Sequence, residues 1–438
     1  MVATRPREAD PTVAPALPTG VRRFRVLKIA PTSFFADYGC HVRILEETLA
    51  LQALGSSVTI CTYHSGRDLP GLDIRRALGL PWRDGVQVGS SPYRFYFDAL
   101  LSLRSLLATV QGRPDIIHAH LHEGALIGGV LSRLWRVPLV FDFQGSLTSE
   151  MCDHGFLGMR RESPLYGPLR ALEKSINGLA DVVLTSSLNA AEVLVRDFGY
   201  PAEKIRPLPD CVSTDRFRAR WTVPEEEKDR LRRRLGLPAG RRLVVYLGLL
   251  AEYQGSGHLL RAAAEVLSRH DDLHFLLMGF PGQERYASLA QQLGIQDHVT
   301  FTGRVPYAEA PQYLALGDVA VSPKVSETEG NGKLLDYMAV GLPTVTFDTP
   351  VSHEILGDLG VYATTGDHES LAANLELLLY AGAEGGEELG RLLRRRAVEK
   401  FSWHAAGLKL ISIYESLQHG KTNEKNVDAV ADGVHPLG

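Results

Sequence analysis

Length, composition and charge exclude several classes of protein. The chain has 438 residues, 45% hydrophobic and 22% charged, which is close to the average of globular proteins and argues against a disordered or fibrous chain. This length exceeds one ordinary core, so two domains are expected, and a net charge of −4 gives no overall field that would attract nucleic acid.

The cysteines and the two ends of the chain favour a cytoplasmic protein. The four cysteines are scattered without a C-x-x-C pair, which predicts neither a zinc ribbon nor a disulfide scaffold. The N-terminal segment lacks the apolar stretch of a signal peptide, and no apolar run reaches the ~20 residues that a bilayer crossing requires. Residues 1–21 and 421–438 are poor in large apolar side chains and are expected to be mobile tails.

Residues 22–212 predict a first α/β domain. Short apolar runs rich in β-branched residues, such as FRVLKIA and SVTICTY, alternate with segments of helical periodicity, such as HVRILEETLALQALG. The same alternation continues through DIIHAH, GALIGGVLSRLW and PLVFDF. It is typical of parallel strands joined by right-handed helical crossovers, so we expect a doubly wound parallel sheet.

A second unit of the same kind follows the charged, turn-rich segment WTVPEEEKDRLRRRLGLPAG. Strands and helices alternate again from RRLVVYLG onward, which predicts a second Rossmann-like domain over residues 213–400. Residues 401–420 have apolar side chains at helical spacing, and we expect a helix that returns to the first domain. Ligands of open α/β sheets bind at the carboxyl ends of the strands, so the site is expected in a cleft between the two sheets.

The stretch SETEGNGKLLDYMAVGLPTV combines features of an anion site. A helix is predicted to begin at Lys333 and to end at Gly341 in a left-handed conformation. Gly330 and Gly332, just before it, let the backbone approach a ligand, and the free N–H groups of a helix start favour an anion. The helix dipole opposes a lysine at this end unless an anion lies between them.

Three carboxylates accompany this helix start. Asp336 is suited to the two vicinal hydroxyls of a ribose, and Glu327 and Glu329 are suited to the hydroxyls of a sugar. Taken singly, each acid is better explained without a ligand, Glu327 and Glu329 as solvated loop residues and Asp336 as a residue that favours the helix start. Together with the glycines and the lysine, they indicate a nucleotide-sugar site.

In the order of its motifs, the sequence resembles glycosyltransferase family 4 of the GT-B superfamily (glycosyl transferases group 1). The resemblance rests on SPKVSETEGNGKLLDYMAVGLPTV, on YGCHVRILEETLALQALGSSVTI, on DIIHAHLHEGALIG, on ADVVLTSS and on the FSW helix, and it covers roughly residues 24–418. It implies a GT-B fold and transfer of a sugar from a nucleotide-diphosphate donor to an acceptor hydroxyl. It also implies retention of the anomeric configuration, no essential metal and no cofactor beyond the donor.

The sequence departs from the family pattern at the first acid. The family separates its two acids by seven residues, a spacing that leads from Asp336 to Thr328. Either Glu327 or Glu329 therefore takes the place of the first acid.

A second departure concerns the cations that hold the donor diphosphate. The family usually has an arginine and a lysine after the first strand of the second domain, where this sequence has Leu249 and Gln254. One preorganised donor to a developing charge is worth ~3–4 kcal/mol, so other groups must compensate. We expect Lys333 and Lys324, on either side of the acidic loop, to replace the missing pair.

The remaining site residues are assigned by the same resemblance. Gln144 occupies the place of a sugar-contacting histidine and can donate and accept hydrogen bonds, although it cannot act as an acid or base. His41 and His120 are the other expected contacts to the sugar or the acceptor. Glu327, Glu329 and Lys333 are the expected catalytic residues. The expected donor-binding residues are Gly39, Lys324, Gly330, Asn331, Gly332, Lys333, Leu334 and Asp336.

His118, His120 and His122 alternate and would point one way on an extended chain, which raises the question of a metal. No cysteine lies nearby and no further ligand set is evident. Polar residues at the carboxyl end of a buried strand explain the row better, and no metal site is expected.

The first domain is also rich in arginine, and these residues bear on the acceptor. An acceptor held at a membrane would favour such cations, whereas ordinary solvated helix faces explain them equally well. The acceptor is expected to be a glycan, a lipid-linked molecule or a small molecule, in polysaccharide or glycolipid biosynthesis, with peripheral contact to the inner membrane face as an option. The arginines are Arg104, Arg113, Arg133, Arg136, Arg160 and Arg161.

Two other functions are compatible with parts of the sequence. A non-catalytic nucleotide-sugar-binding module is favoured by the absent arginine–lysine pair. A nicotinamide-dependent oxidoreductase also contains doubly wound units, but no G-x-G-x-x-G with an acid ~20 residues further on follows an N-terminal strand.

Overall fold

The computed structural model of the chain describes residues 22–36, 39–79, 94–153, 159–326, 330–380 and 383–431. The residues Glu327 and Glu329 lie outside these ranges, as does the expected N-terminal tail. The described residues form two parallel sheets, and the predicted α/β class is confirmed.

The first sheet contains seven parallel strands within the described ranges. They are β1 (Arg25–Ala30), β2 (Ser57–Thr62), β3 (Asp73–Arg76), β4 (Ile116–His120), β5 (Leu139–Phe143), β6 (Val182–Thr185) and β7 (Ile205–Pro207). Their spatial order is β3-β2-β1-β4-β5-β6-β7. Strands are added toward one edge of the sheet from β1 to β3 and toward the other edge from β4 to β7, so the strand order reverses between β1 and β4. The helices of this domain are α1 (Gly39–Ala53), α2 (Arg94–Gln111), α3 (Leu121–Trp135), α4 (Leu147–Asp153), α5 (Tyr166–Asn177) and α6 (Leu188–Phe198).

The second sheet has six parallel strands in the same described part of the chain. They are β8 (Arg242–Leu249), β9 (Leu273–Phe280), β10 (Val299–Phe301), β11 (Val319–Ser322), β12 (Thr344–Phe347) and β13 (Val361–Ala363), in the order β10-β9-β8-β11-β12-β13. The remaining helices are α7 (Glu225–Arg234), α8 (Ser256–Leu267), α9 (Gln283–Gln292), α10 (Ala310–Leu314), α11 (Lys333–Val340), α12 (Pro350–Leu356), α13 (His368–Tyr380), α14 (Ala383–Lys400) and α15 (Trp403–Ala431).

The local sequence explains why these elements form. The central strands β4, β5, β11 and β12 are buried along their whole length, as expected for parallel strands covered by helices on both faces. The Ser187 side chain caps α6 by accepting from the N–H of Ala190. Helix α11 begins at Lys333 and ends at Gly341, whose φ of 78° confirms the predicted left-handed cap.

The last helix, α15, returns to the first domain as predicted. Gly407 allows a close approach to α1, because a Cβ there would lie 3.1 Å from the Cβ of Ala50. Further along the helix, the Tyr414 hydroxyl lies 2.7 Å from Nδ1 of His118, and its ring packs edge-on against Phe24. The helix continues to Ala431, into the range that the sequence assigned to a tail.

Candidate active site

A cavity of about 340 Å³ lies between the carboxyl ends of the two sheets. The first domain contributes Arg43, Gln144 and Asp210 to its lining, and the second contributes Gly248 and Lys333. A cleft between facing strand ends is where an open α/β architecture binds ligands.

The wall formed by the second domain is built largely of main chain. Strands β8 and β9 reach the cleft at Gly248 and Gly279. A Cβ on Gly279 would lie 2.3 Å from the carbonyl oxygen of Gly248, and one on Gly248 would lie 2.9 Å from Nζ of Lys333. At Gly279 the nearby carbonyl excludes a side chain, and at Gly248 a φ of 152° disfavours one, which leaves the backbone open to a ligand.

Lys333 extends from the start of α11 to the end of β8. Its Nζ donates to Oε1 of Gln254 at 2.6 Å and lies 4.7 Å from the ring centroid of Tyr246, a cation–π distance. Gln254 is the residue that stands in place of the family's lysine. A cation from a different element therefore reaches the region where the sequence lacks one.

Lys324 and Asn331 hold the loop between β11 and α11. Nζ of Lys324 donates to the carbonyl of Gly330 at 2.7 Å, and Oδ1 of Asn331 accepts from the Ser322 hydroxyl at 3.0 Å. Both residues line the cleft and are largely buried. The loop is thus held in place by hydrogen bonds within the protein, without a ligand.

Asp336 lies where the two domains face each other. Burial, followed by the carboxylates of Glu46 and Asp210 from the first domain, raises the pKa of Asp336 well above its ordinary value of 3.8. Arg216 opposes this effect and also pairs with Glu46, and its guanidinium lies 5.0 Å from the Tyr307 ring centroid. An uncharged Asp336 carboxyl can donate as well as accept hydrogen bonds.

The wall formed by the first domain is organised by Arg43. Its guanidinium donates to both oxygens of Asp142, the shortest at 2.7 Å, and to Oδ1 of Asp210 at 2.8 Å. Burial alone would raise the pKa of Asp142, but Arg43 and then His120 hold it well below its usual value. Arg43 therefore fixes two carboxylates at once.

Gln144 is oriented by this ion pair. Its Nε2 donates to Oδ2 of Asp142 at 2.8 Å. Because an ionised carboxylate only accepts, the amide nitrogen must face inward, and the amide oxygen is left to accept from a ligand hydroxyl.

A buried polar cluster lies behind Gln144. Nδ1 of His120 is 2.9 Å from Asp142, the His118 and His120 rings stack at 4.7 Å, and Lys28 pairs with Glu47 at 2.9 Å. All of these side chains are fully buried.

This cluster also contains the metal-ligand candidates of the described residues. One donor atom from each of Glu47, His118, His120 and Asp142 lies within 4.8 Å of the others. However, Glu47 is already paired with Lys28 and Asp142 with Arg43. A divalent cation would add uncompensated charge to this balanced, buried network, so the network is better explained as structural.

The structure brings most of the predicted site residues to the cleft, but not all. The side chains of His41, His120 and Leu334 are buried and do not line the cavity, so their contacts with a ligand stay predictions. His41 bonds the Thr32 hydroxyl and the Ala36 N–H, Leu334 packs in the hydrophobic core, and His120 lies behind Gln144. The predicted residues at the cleft are Gly39, Gln144, Lys324, Gly330, Asn331, Gly332, Lys333 and Asp336.

Sequence reasoning missed Arg43, Asp142 and Asp210. A charged residue inside an apolar run, as in VRIL and LVFDF, was the available signal for the first two, because unpaired charges are almost never fully buried. Asp210 lies in an irregular segment after the short edge strand β7, and nothing in its local sequence marks it.

None of the helices in the described ranges has the length and hydropathy required to span a membrane.

Two Rossmann-like parallel sheets that face a cleft, with a final helix returning to the first domain, define the GT-B class of glycosyltransferases. The fold matches sucrose-phosphate synthase from Thermosynechococcus elongatus with a TM-score of 0.77 and 19% identity, covering 91% of this chain and 100% of that one. It also matches Anabaena HepE in complex with UDP and glucose, with a TM-score of 0.71 and 16% identity, covering 90% and 100%.

Comparison of the sequence identifies the family. Residues 38–211 match the glycosyl transferase 4-like domain, and residues 241–380 match the glycosyl transferases group 1. A D-inositol 3-phosphate glycosyltransferase of Acidothermus cellulolyticus is 27% identical over 81% of this chain and 78% of its own length. A 2-deoxystreptamine glucosyltransferase of Streptomyces kanamyceticus is 28% identical over 68% and 76%.

The chain belongs to the group 1 glycosyltransferases, with one family match on each domain. It is a glycosyltransferase of GT-B fold. This assignment argues against the oxidoreductase alternative.

Proposed function

We propose that this glycosyltransferase moves a hexosyl group from a nucleoside-diphosphate sugar to an acceptor hydroxyl, with retention of the anomeric configuration and without an essential metal. The donor class is supported by HepE, whose structures contain UDP and UDP-glucose. The observation that carries the proposal is Lys333, whose Nζ lies 2.6 Å from Gln254, beside the glycine floor of the cleft.

In this proposal the donor lies along the start of α11. The diphosphate is bound by Lys333 and lies at the positive end of the helix dipole at the start of α11. Asp336 binds the ribose hydroxyls, and either Glu327 or Glu329 binds the sugar. Gln144 accepts from a sugar or acceptor hydroxyl across the cleft.

The reaction then takes place on one face of the sugar. The bond from C1 to the diphosphate oxygen breaks while the acceptor oxygen bonds to C1 from the same side, and the acceptor proton passes to the departing phosphate. Negative charge grows on the diphosphate, so a fixed cation stabilises the transition state more than the ground state. Lys333 takes this role, and Lys324 supports it by fixing the loop at Gly330.

Replacing Lys333 with alanine tests the proposal. We expect kcat to fall at least ~100-fold, equivalent to about 3 kcal/mol, with a much smaller change in the affinity for the nucleoside alone. Lys400→Ala, an exposed lysine at the end of α14, is the matched control and should leave both unchanged. An unchanged kcat in the Lys333 variant would contradict the role of this cation.

The non-catalytic alternative is tested on the unmodified protein. A thermal-shift panel of nucleoside diphosphates and their sugar conjugates should find a ligand, because one present at 100 times its Kd adds ~2.7 kcal/mol of stability. Transfer or hydrolysis of the donor found in this way supports catalysis. Tight binding with neither reaction supports a binding module.

A further inference from the structure

The two domains touch each other beside the places where the chain passes between them. The chain leaves the first sheet after β7 and returns to the first domain just before α15. At these two crossings, the N–H of Val212 donates to the carbonyl of Phe401 at 2.9 Å, so the crossings lie side by side, as at a hinge. Asp210 precedes Val212 by two residues and therefore lies within about 7 Å of this point.

Glu354, on α12 of the second domain, makes one contact with the first domain. Its Oε2 accepts from the main-chain N–H of Leu188, the first residue of α6, at 2.7 Å. The first N–H groups of a helix have no partner within the helix, and the Ser187 side chain caps only that of Ala190. The second domain thus supplies a second cap to a helix of the first.

The position of Glu354 is fixed from behind by Arg396 of α14. The guanidinium of Arg396 donates to the main-chain carbonyls of Glu354 and Ile355, at 3.1 and 2.6 Å. It also lies 6.0 Å from the ring centroid of Phe401, at the returning crossing. Because one arginine contacts both α12 and the crossing, Glu354 is held at a defined place relative to the hinge.

Gly330, in the loop before α11, makes another contact between the domains. A Cβ on this residue would lie 2.7 Å from Oδ2 of Asp210 and 3.4 Å from the hydroxyl oxygen of Ser186. The backbone of the loop therefore lies directly against the first domain. Asp210 is held there, because Arg43 donates to its Oδ1 at 2.8 Å.

The contact through Glu354 depends on a hydrogen bond and is opposed by charge. Burial raises the pKa of Glu354, the bond from Leu188 opposes this shift, and the charges of Asp210 and Glu192 add to it. A neutral acceptor in the same place would keep the hydrogen bond and remove the repulsion. Glutamine at this position should therefore serve at least as well as glutamate.

The two contacts form one small interface, which we call the hinge seat. We propose that the hinge seat sets the angle between the two domains and so holds Lys333 and Gln144, which line opposite walls of the cleft, at the separation that the reaction requires. Because the interface lies close to the hinge, a small displacement there moves the outer parts of the walls further. The hinge seat consists of Ser186, Leu188 and Asp210 of the first domain and Gly330 and Glu354 of the second.

Glu354 is accordingly a positioning residue. It is not among the described residues that line the cavity, and it acts on the reaction through the distance between the walls. Its effect on turnover rests on the proposed function, whereas its effect on the angle between the domains does not.

Small-angle X-ray scattering of the full-length protein without a ligand measures this angle. Glu354→Ala leaves the N–H of Leu188 without its acceptor, so the ratio of closed to open molecules should fall at least ~10-fold and the radius of gyration should increase. Glu354→Gln should keep the radius of the unmodified protein. Glu369→Ala, at an exposed position in the first turn of α13, is the matched control.

The contact through Gly330 is tested in the same way. In Gly330→Ala the new Cβ meets Oδ2 of Asp210, and the radius of gyration should increase as well. Gly332→Ala should not change the radius, because its Cβ would lie 3.5 Å from the same oxygen, an ordinary van der Waals distance.

Turnover is then measured with the nucleotide sugar that the thermal-shift panel selects. In Glu354→Ala, kcat/KM for donor hydrolysis should fall about tenfold with the closed fraction, while the affinity for the nucleoside alone is unchanged. Glu354→Gln should restore kcat/KM. If the unmodified protein shows no turnover, the proposed function fails, and the scattering data still test the hinge seat.

Three results would overturn the proposal. Glu354→Ala could keep the radius of the unmodified protein. Glu354→Gln or Glu369→Ala could expand the protein as much as Glu354→Ala does. An expanded Glu354→Ala variant could retain the kcat/KM of the unmodified enzyme.

Discussion

The two walls of the cleft are constructed in opposite ways. The first domain presents side chains held by a buried ionic network around Arg43 and Asp142. The second presents backbone, with glycines at the ends of β8 and β9 and Lys333 across them. The first wall therefore offers a ligand side chains that the network holds in fixed positions. The second offers main-chain groups that no side chain covers.

This difference determines how each wall responds to damage. Removing one member of a buried ion pair leaves a charge without a partner and destabilises the whole domain. Adding atoms to a glycine surface disturbs the local fit and the ligand that would lie there. The variants below test this contrast.

The largest effect is expected from Arg43→Met. Asp142 and Asp210 lose their shared guanidinium, and the free energy of unfolding should fall by about 3–5 kcal/mol in a urea titration. Arg391→Met is the matched control, because its pair with Glu387 is about half exposed and should contribute at most ~1 kcal/mol. Equal losses in the two variants would refute the claim that the first wall depends on a buried network.

Gly279→Ala should have the next largest effect, on the second wall. The new Cβ would lie 2.3 Å from the Gly248 carbonyl oxygen, a main-chain atom that cannot rotate away. We expect unfolding to become easier by about 1–3 kcal/mol and nucleotide affinity to fall. Gly112→Ala, whose Cβ would meet no atom within 4 Å, should change neither. If both alanine variants bind nucleotide normally, the glycine floor has no role in binding.

Asp336→Asn is expected to stabilise the fold but to weaken nucleotide binding. The pKa of Asp336 is higher in the folded state than its ordinary value of 3.8. As the pH rises above 3.8, the unfolded chain releases this proton while the folded chain keeps it, so the free energy of unfolding falls until the folded-state pKa is passed. Asparagine removes this dependence, and Tm at pH 7 should rise by a few degrees while nucleotide binding weakens.

Thermal melts across pH values check this prediction. The difference between variant and parent should vanish toward low pH, and Asp229→Asn, on an exposed position of α7, should behave like the parent. A lower Tm for Asp336→Asn at neutral pH would mean that the Glu46 and Asp210 charges do not act as described.

The smallest effect is expected from Gln144→Met. Methionine keeps the volume but cannot accept from a ligand hydroxyl, and one such hydrogen bond contributes about 1 kcal/mol. We expect kcat/KM to fall ~5-fold with little change in the urea midpoint. A large loss of stability would show that Gln144 supports the network instead of using it.

The sequence predicted the features that depend on local pattern. Alternating apolar runs gave the two sheets, and Lys333 and Gly341 marked the limits of α11. It did not predict the pair of Arg43 and Asp142, which are 99 residues apart in the chain and meet only in the folded domain. The strand β3 was also not predicted, because its sequence DIRR contains no apolar run.

The predicted site residues that do not line the cavity have one feature in common. His120 and Leu334 belong to elements that reach the cleft, but their side chains point to the interior. Sequence places a residue on an element more readily than on one of its faces. Whether Gln144 or His120 meets the ligand depends on the pleat at the end of each strand, which the resemblance to a family does not supply.

The return of α15 has a consequence for synthesis of the chain on the ribosome. The strands of the first domain are complete at Pro207, yet the α1 side of that domain is covered only when Gly407 and Tyr414 arrive. In the nascent first domain, Ala50 and Phe24 therefore stay uncovered until the chain has been translated as far as Tyr414, about 200 residues after the last strand of that domain. A truncation before Trp403 would leave that surface permanently bare.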